Sequence, residues 1–253
     1  MKKNLINNKL NQEIYGLHSV LAALENPKRK HLTLYILNKY KDFSKKYANK
    51  VSNISILSSK DMLKLFGNEN SNQGIVLISN HLHQKNFEEI FINSKKIENS
   101  IVVILDQVTD PNNIGSIMRS CALFNCKTII VSKNNSPDLT PSLTKSASGA
   151  VELINYLKVT NLNRTLKTLK KLGYWIYGLD NSSNSSAKIT DMPKKSVIVL
   201  GSEGKGIRDL IKKECDALIS LPSNPNLNYS IDSLNVSNAC AIALYEHFKK
   251  FNL

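Results

Sequence analysis

The chain has 253 residues, 42% of them hydrophobic, and a formal net charge of +14. That length accommodates two cores, and no run approaches the ~18 apolar residues that a membrane-spanning helix needs. The charge is spread, +8 over positions 1–100 and +6 over 101–253, which favours polyanionic partners and salt-sensitive association, although a biased base composition also enriches lysine.

Residues 1–13 are polar and read as loosely ordered. Leu17 to Leu24 has helical spacing and stops at Asn26-Pro27. Leu32 to Leu37 and Ile54 to Leu57 read as strands with a lysine-rich helix between them, and Gly74 to Ser79 as another strand. This alternation predicts a compact α/β/α unit over 1–80. Its Lys28-Arg29-Lys30 run is a candidate polyanion contact. Positions 81–99 are polar, with Phe87, Ile90 and Phe91 offering one amphipathic turn, and read as a linker.

A second α/β series fills 100–253. Its expected strands are Ile101–Leu105, Thr128–Val131, Tyr174–Leu179, Val197–Leu200 and Ala217–Leu221. Such near-continuous apolar runs suit a parallel sheet covered on both faces. Asn161 to Leu172 reads as an amphipathic helix, with Gly173 at its C-cap, and Ser182 to Ala187 as a loop without chemistry. Ser233 and Asn235 open a last helix that runs to about Phe251. Cys121, Cys126, Cys215 and Cys240 form no metal-binding spacing. Cys121 and Cys126 do not share a helical face, and all four read as core thiols of a reducing compartment. Met1-Lys2-Lys3 is followed by no apolar segment, so a cytoplasmic protein is expected.

Three segments carry the chemistry: Asp110-Pro111-Asn112-Asn113-Ile114-Gly115 with Arg119, Leu200-Gly201-Ser202-Glu203-Gly204-Lys205-Gly206, and Ser233-Leu234-Asn235-Val236-Ser237-Asn238-Ala239. The first two follow apolar strands and the third opens a helix, so they fall where ligand sites of α/β sheets form. Each residue also has a plainer role. Arg119 is an exposed helical arginine, Asn113 and Ser233 are helix caps, and Glu203 is a carboxylate at a helix N-terminus. The glycine-rich segment is neither a dinucleotide nor a Walker loop, and its glutamate would repel a pyrophosphate.

In order and spacing these segments resemble the three motifs of the SpoU (TrmH-like) RNA ribose methyltransferases of the SPOUT superfamily. Ile14-Tyr15-Gly16-Leu17-His18-Ser19-Val20 and Asn72-Gln73-Gly74-Ile75 resemble the small RNA-binding domain, ribosomal-protein L30e-like, that precedes the catalytic domain in many members. The resemblance implies a deep trefoil knot in a catalytic domain over 100–253, and transfer of methyl from S-adenosyl-L-methionine to a ribose 2′-hydroxyl. The implied substrate is a guanosine of large-subunit rRNA, with tRNA as the alternative, and no metal, DNA or membrane partner. Arg119 is implied at the RNA phosphate, where it clamps the phosphate and activates the 2′-hydroxyl or itself takes the proton, with Asn113 orienting Arg119 or the ribose, and Glu203, Ser233 and Asn235 in the active site. Backbone cofactor contacts are implied at Gly201, Leu221 and Leu234. A homodimer through the knotted domain is implied too, consistent with a last helix that is apolar on several faces. The loop 222–232 is longer than usual for the family, and Asn112 stands where members often carry His. Two further readings are a non-catalytic RNA-binding protein and a nucleotide-dependent α/β enzyme, the latter weakened by the missing phosphate motifs.

Overall fold

A computed structural model describes residues 11–67, 72–92, 101–180, 188–221 and 233–253. The expected loop Ser182 to Ala187, the linker positions 93–99 and the long loop 222–232 lie outside the described residues. The chain divides into two compact units, Met1–His83 with Leu139–Leu153, and Gln84–Asp138 with Ile154–Leu253.

The first unit contains strands β1 (Asn11–Tyr15), β2 (His31–Leu37), β3 (Val51–Leu57) and β4 (Ile75–Asn80). They form one sheet in the order β1-β4-β2-β3. β4 runs antiparallel to both β1 and β2, and β2 is parallel to β3. Side chains alternate across a strand, so β2 sends Leu34 and Ile36 to one core and Tyr35 and Leu37 to another. β4 does the same with Ile75 and Leu77 against Val76 and Ile78. Helix α1 (Leu17–Glu25) packs Val20 and Leu24 on the first face. No side chain of its own N-cap serves it, and the Gln73 side-chain oxygen accepts from the Leu17 amide instead, at 3.1 Å. The expected lysine-rich helix is the short α2 (Lys41–Lys46). Helix α3 (Ser59–Phe66) packs Met62 and Phe66 on the second face, and Ser58 accepts from the Asp61 amide to cap it.

Three expectations change in this unit. Positions 11–13 are not loose, because β1 pairs with β4 in a continuous register from Asn11↔Asn80 to Tyr15↔Val76. The segment 139–153, expected with the catalytic residues, clusters with this unit through helix α5 (Pro141–Ala147) and a 3-10 turn ending at Glu152. Arg29 does not reach outward to RNA. It is 5% exposed, and its Nε and Nη2 donate to the Glu152 carboxylate at 2.8–3.0 Å. Its Nη1 donates to Gln12 and to the Asn80 carbonyl at 3.0 and 2.7 Å. A covered guanidinium must be paired and hydrogen-bonded, and here each of its three nitrogens has a partner. Lys28 and Lys30 on either side remain exposed.

The second unit is built on a six-stranded sheet in the order β10-β8-β9-β5-β6-β7, all neighbours parallel. The strands are β5 (Ile101–Asp106), β6 (Thr128–Ser132), β7 (Asn155–Val159), β8 (Trp175–Leu179), β9 (Ser196–Gly201) and β10 (Ala217–Ile219). β5 is buried along its whole length, as a central strand covered on both faces should be. β7 was not expected, since Asn155 and Lys158 interrupt its apolar run, and β10 ends at Ile219 rather than Leu221. The helices are α4 (Pro111–Leu123), α6 (Leu162–Lys171), α7 (Asp209–Lys212) and α8 (Val236–Asn252). The aromatic turn expected in the linker is a π-helical turn at Glu88–Ile92, and its Phe91 belongs to this unit's core beside Tyr174.

Cys121, Cys126 and Cys240 are buried, as expected of core thiols, and Cys215 is half-buried. Helix α4 ends at Leu123, the chain reverses through Asn125 at φ 57, and the Cys126 amide donates to the Cys121 carbonyl at 2.9 Å. That reversal brings the buried thiols of Cys121 and Cys126 together, with Cys240 of α8 joining them. Among the described residues no helix is long and apolar enough to cross a membrane.

Candidate active site

Strands β5 and β9 are neighbours at the place where strand order reverses, the usual position for a ligand in an open parallel sheet. Their last residues, Asp106 and Gly201, are directly paired. The loops that follow therefore start side by side.

The first loop turns into α4. Asp110 is its N-cap, with a side-chain oxygen accepting from the Asn112 amide at 3.0 Å, and Pro111 occupies the first turn where its missing N–H costs nothing. Asn113 is thus not the cap but a first-turn residue whose amide is held free of the helix. The second loop closes on itself: the amides of Ser202 and Gly206 donate to each other's carbonyls at 3.2 and 2.9 Å. Closure brings the backbone of Gly206 and Ile207 so near to Gly201 that an added Cβ would lie 2.0–2.2 Å from it. Gly204 and Gly206 have φ of 86 and 65, the left-handed region that glycine enters without penalty. Glu203 sits in this loop and not at a helix terminus, since α7 starts only at Asp209. In the third segment Asn235 is the N-cap of α8; its Oδ1 accepts from the Ser237 amide at 2.9 Å and from the Ser237 hydroxyl at 2.6 Å. Ser233 lies three residues before the helix, so the capping expected of it falls to Asn235.

Three of the expected residues meet. Asn113 Nδ2 donates to Glu203 Oε1 at 3.0 Å. Asn235 Nδ2 donates to the same oxygen at 2.7 Å and to Asn113 Oδ1 at 3.0 Å. A carboxylate accepting from two amides is a charge-assisted arrangement that orients both. An amide nitrogen carries two N–H donors. Asn235 commits both within this trio, while Asn113 commits one and has one left among the described residues. Ser237, in the third motif, locks the Asn235 amide, a role that its local sequence does not announce.

Beside the trio lies a cleft of about 490 Å³, lined among others by Gly201, Glu203, Leu221, Ser233 and Leu234. That size falls within the range of cofactor pockets. The three positions expected to meet a cofactor, Gly201, Leu221 and Leu234, line one cavity, together with Glu203 and Ser233. Asp180 and Lys212 stand on its wall as an ion pair, and the Asp180 hydrogen bond raises the Lys212 pKa. Arg119 stands apart. It is exposed on α4, six residues beyond Asn113 and so about 9 Å along the axis, with no hydrogen bond to Asn113, Glu203 or Asn235 among the described residues. Asn113 is oriented by Glu203 and Asn235 instead.

The SpoU rRNA methylase family profile matches residues 100–245. The 23S rRNA (guanosine-2′-O-)-methyltransferase RlmB of Coxiella burnetii is 35% identical over 93% of this chain and 94% of its own length. The protein of the same name from Neisseria meningitidis is 34% identical over 92% and 93%. Among solved structures, the SpoU methyltransferase AviRb of Streptomyces viridochromogenes shares the fold at a TM-score of 0.77 and 20% identity, covering 98% of this chain and 95% of its own. An RNA 2′-O ribose methyltransferase shares it at 0.80 and 17%, covering 99% and 94%. The three motifs, the loops they form and these relatives agree: the chain belongs to the SpoU rRNA methylase family.

Proposed function

We propose that the protein transfers a methyl group from S-adenosyl-L-methionine to the ribose 2′-hydroxyl of a guanosine in large-subunit rRNA. The observation that carries this reading is the Asn113–Glu203–Asn235 trio at the edge of the cleft. The cleft residues fit the cofactor: the backbone around Gly201 is bare of side-chain bulk, and Leu221 and Leu234 offer apolar contact. When bound there, S-adenosylmethionine supplies an electrophilic methyl on a sulfonium.

The rest is done by the chain's own residues. Methyl transfer of this kind needs alignment more than covalent help, and alignment can supply much of the rate. In this reading the spare N–H of Asn113 donates to a ribose oxygen, while Glu203 and Asn235 keep that amide from rotating. Arg119, exposed and without a partner among the described residues, binds the phosphate beside the target ribose with its planar fork. A guanidinium stays charged at neutral pH, so its part is to stabilise the oxyanion that develops as the hydroxyl proton passes to water and the methyl leaves sulfur for the ribose oxygen. Ser233 borders the same space.

The reading extends to RNA selection by the first unit, where exposed Lys28 and Lys30 are available. It also includes a trefoil knot and a two-fold dimer in the second unit, and a cytoplasmic location. The dimer is supported by Ile242 and Tyr245, three apart on α8 and 41% and 43% exposed. Sedimentation equilibrium on the full chain checks it, and a fully active monomer at micromolar concentration rules it out.

The decisive experiment is Arg119→Ala with labelled cofactor and rRNA. Turnover should fall by about 10²–10³-fold, the usual loss for one electrostatic contact to a developing charge. Calorimetric binding of S-adenosylmethionine should be retained, with ATP and NAD giving no heat. Unchanged methyl incorporation, or an equal loss of cofactor binding, defeats the assignment.

A further inference from the structure

Asp106 is a carboxylate with no exposed surface at the end of a central strand. Burying a charge there costs stability that an apolar residue would not, so its presence asks for another reason. Both oxygens are engaged by one residue 102 positions later. The Arg208 amide donates to Oδ2 at 3.0 Å, Arg208 Nε donates to Oδ1 and Oδ2 at 2.9 and 3.2 Å, and Nη2 reaches Oδ1 at 2.6 Å. The backbone bond matters as much as the guanidinium, because it fixes the main chain at 208 and not merely a side chain.

Arg208 lies just past the closed loop that begins at Gly201. Asp106 therefore grips that loop at both ends: the entrance through its sheet pairing with Gly201, and the exit through its carboxylate. Between these two points the loop has the Ser202–Gly206 pair of backbone bonds and the buried Ile207. Glu203 projects from the middle of it to hold Asn113 and Asn235.

We propose that the Asp106–Arg208 clasp is a positioning device for the candidate active site, holding the Gly201–Gly206 loop in the one shape that presents Glu203 to the two amides. The inference rests on the methyl-transfer reading for its kinetic consequence but not for its structural one. Among the described residues neither lines the cleft nor hydrogen-bonds to the trio, so both act through the loop.

The test uses the full chain with Arg208→Ala, Arg208→Lys and Asp106→Asn. In Arg208→Ala, kcat at saturating cofactor should fall about 10²-fold, the scale of a 1 Å misplacement, with the KM for RNA within about twofold because no RNA contact is lost. Amide hydrogen exchange at Ser202 and Gly206 should quicken while exchange in the β5 core does not. All three variants keep the residue 208 amide; Arg208→Lys, which also keeps the charge, should recover part of kcat, and Asp106→Asn, which loses the ion pair, should match Arg208→Ala. Unaltered exchange at Ser202 and Gly206 overturns the clasp whatever the kinetics. Exchange that quickens equally throughout β5 overturns it also, since the pair then serves the core. If the wild-type protein transfers no methyl group, the functional reading fails, and the exchange data alone decide the clasp.

Discussion

In the first unit Arg29 closes on Glu152 with its side chain fully covered; in the second Arg208 closes on Asp106 with its side chain 47% exposed. Both pairs join residues more than a hundred positions apart, and each buries its carboxylate almost completely. The difference is access to water. When both ions are covered, removing one strands the other, and the cost falls on folding. When the arginine side chain is half exposed, water can enter where it lay, and more of what is lost is geometry. The first pair holds the segment 139–153 in its unit, and the second shapes a loop beside the cleft.

The largest effect should separate the pairs by stability. Arg29→Ala leaves Glu152 buried and uncompensated and should destabilise the protein by about 3–5 kcal/mol. Replacing Arg29 and Glu152 together by leucine should restore much of it. Thermal melts decide this, and an Arg29→Ala melt equal to wild type would mean that the pair carries no folding energy. Arg208→Ala should shift the melt far less.

The comparison sharpens at Gly201, one strand end away from the clasp. Gly201→Ala sets a methyl group against the backbone of Gly206 and Ile207. The loop must open, and S-adenosylmethionine should bind about tenfold more weakly or worse, ~1.4 kcal/mol or more. Calorimetry showing wild-type affinity would exclude a tight backbone cradle there.

The smallest effect concerns one histidine in each unit. His31 faces Ser79 and His247 faces the Pro193 carbonyl, and burial first of all lowers both pKa values. As pH falls through about 6.5, the unfolded chain takes up these protons before the folded one does. Stability therefore rises with pH across the window between the depressed folded values and the unfolded value, and is lost on acidification. His247→Gln should flatten the fall in melting temperature between about pH 7 and 5. An identical slope in the mutant would show that His247 does not contribute.

The sequence brought forward three residues that the fold places together, for a physical reason. Asn113, Glu203 and Asn235 are polar residues placed just after apolar strands or at a helix start, and such placement is a local property of the chain. The strands β5 and β9 were legible for the same reason, being continuous apolar runs. So was the cavity shared by Gly201, Leu221 and Leu234, once the motifs pointed to one family.

What the sequence could not decide depends on partners far along the chain. Asn11-Gln12-Glu13 has no strand pattern of its own and becomes one only against β4. Arg29 looked like part of a basic patch, because nothing local announces Glu152. Asp106 and Arg208 were unremarked for the same reason, and the meeting of Cys121 with Cys126 depended on where α4 stops. By itself the sequence determined which residues are polar, which strands are central and which loops follow them, since these are set by neighbours within a few positions. Only the tertiary structure decided which charges are covered and which amides share a carboxylate, because burial and hydrogen-bond pairing exist only once distant segments have met.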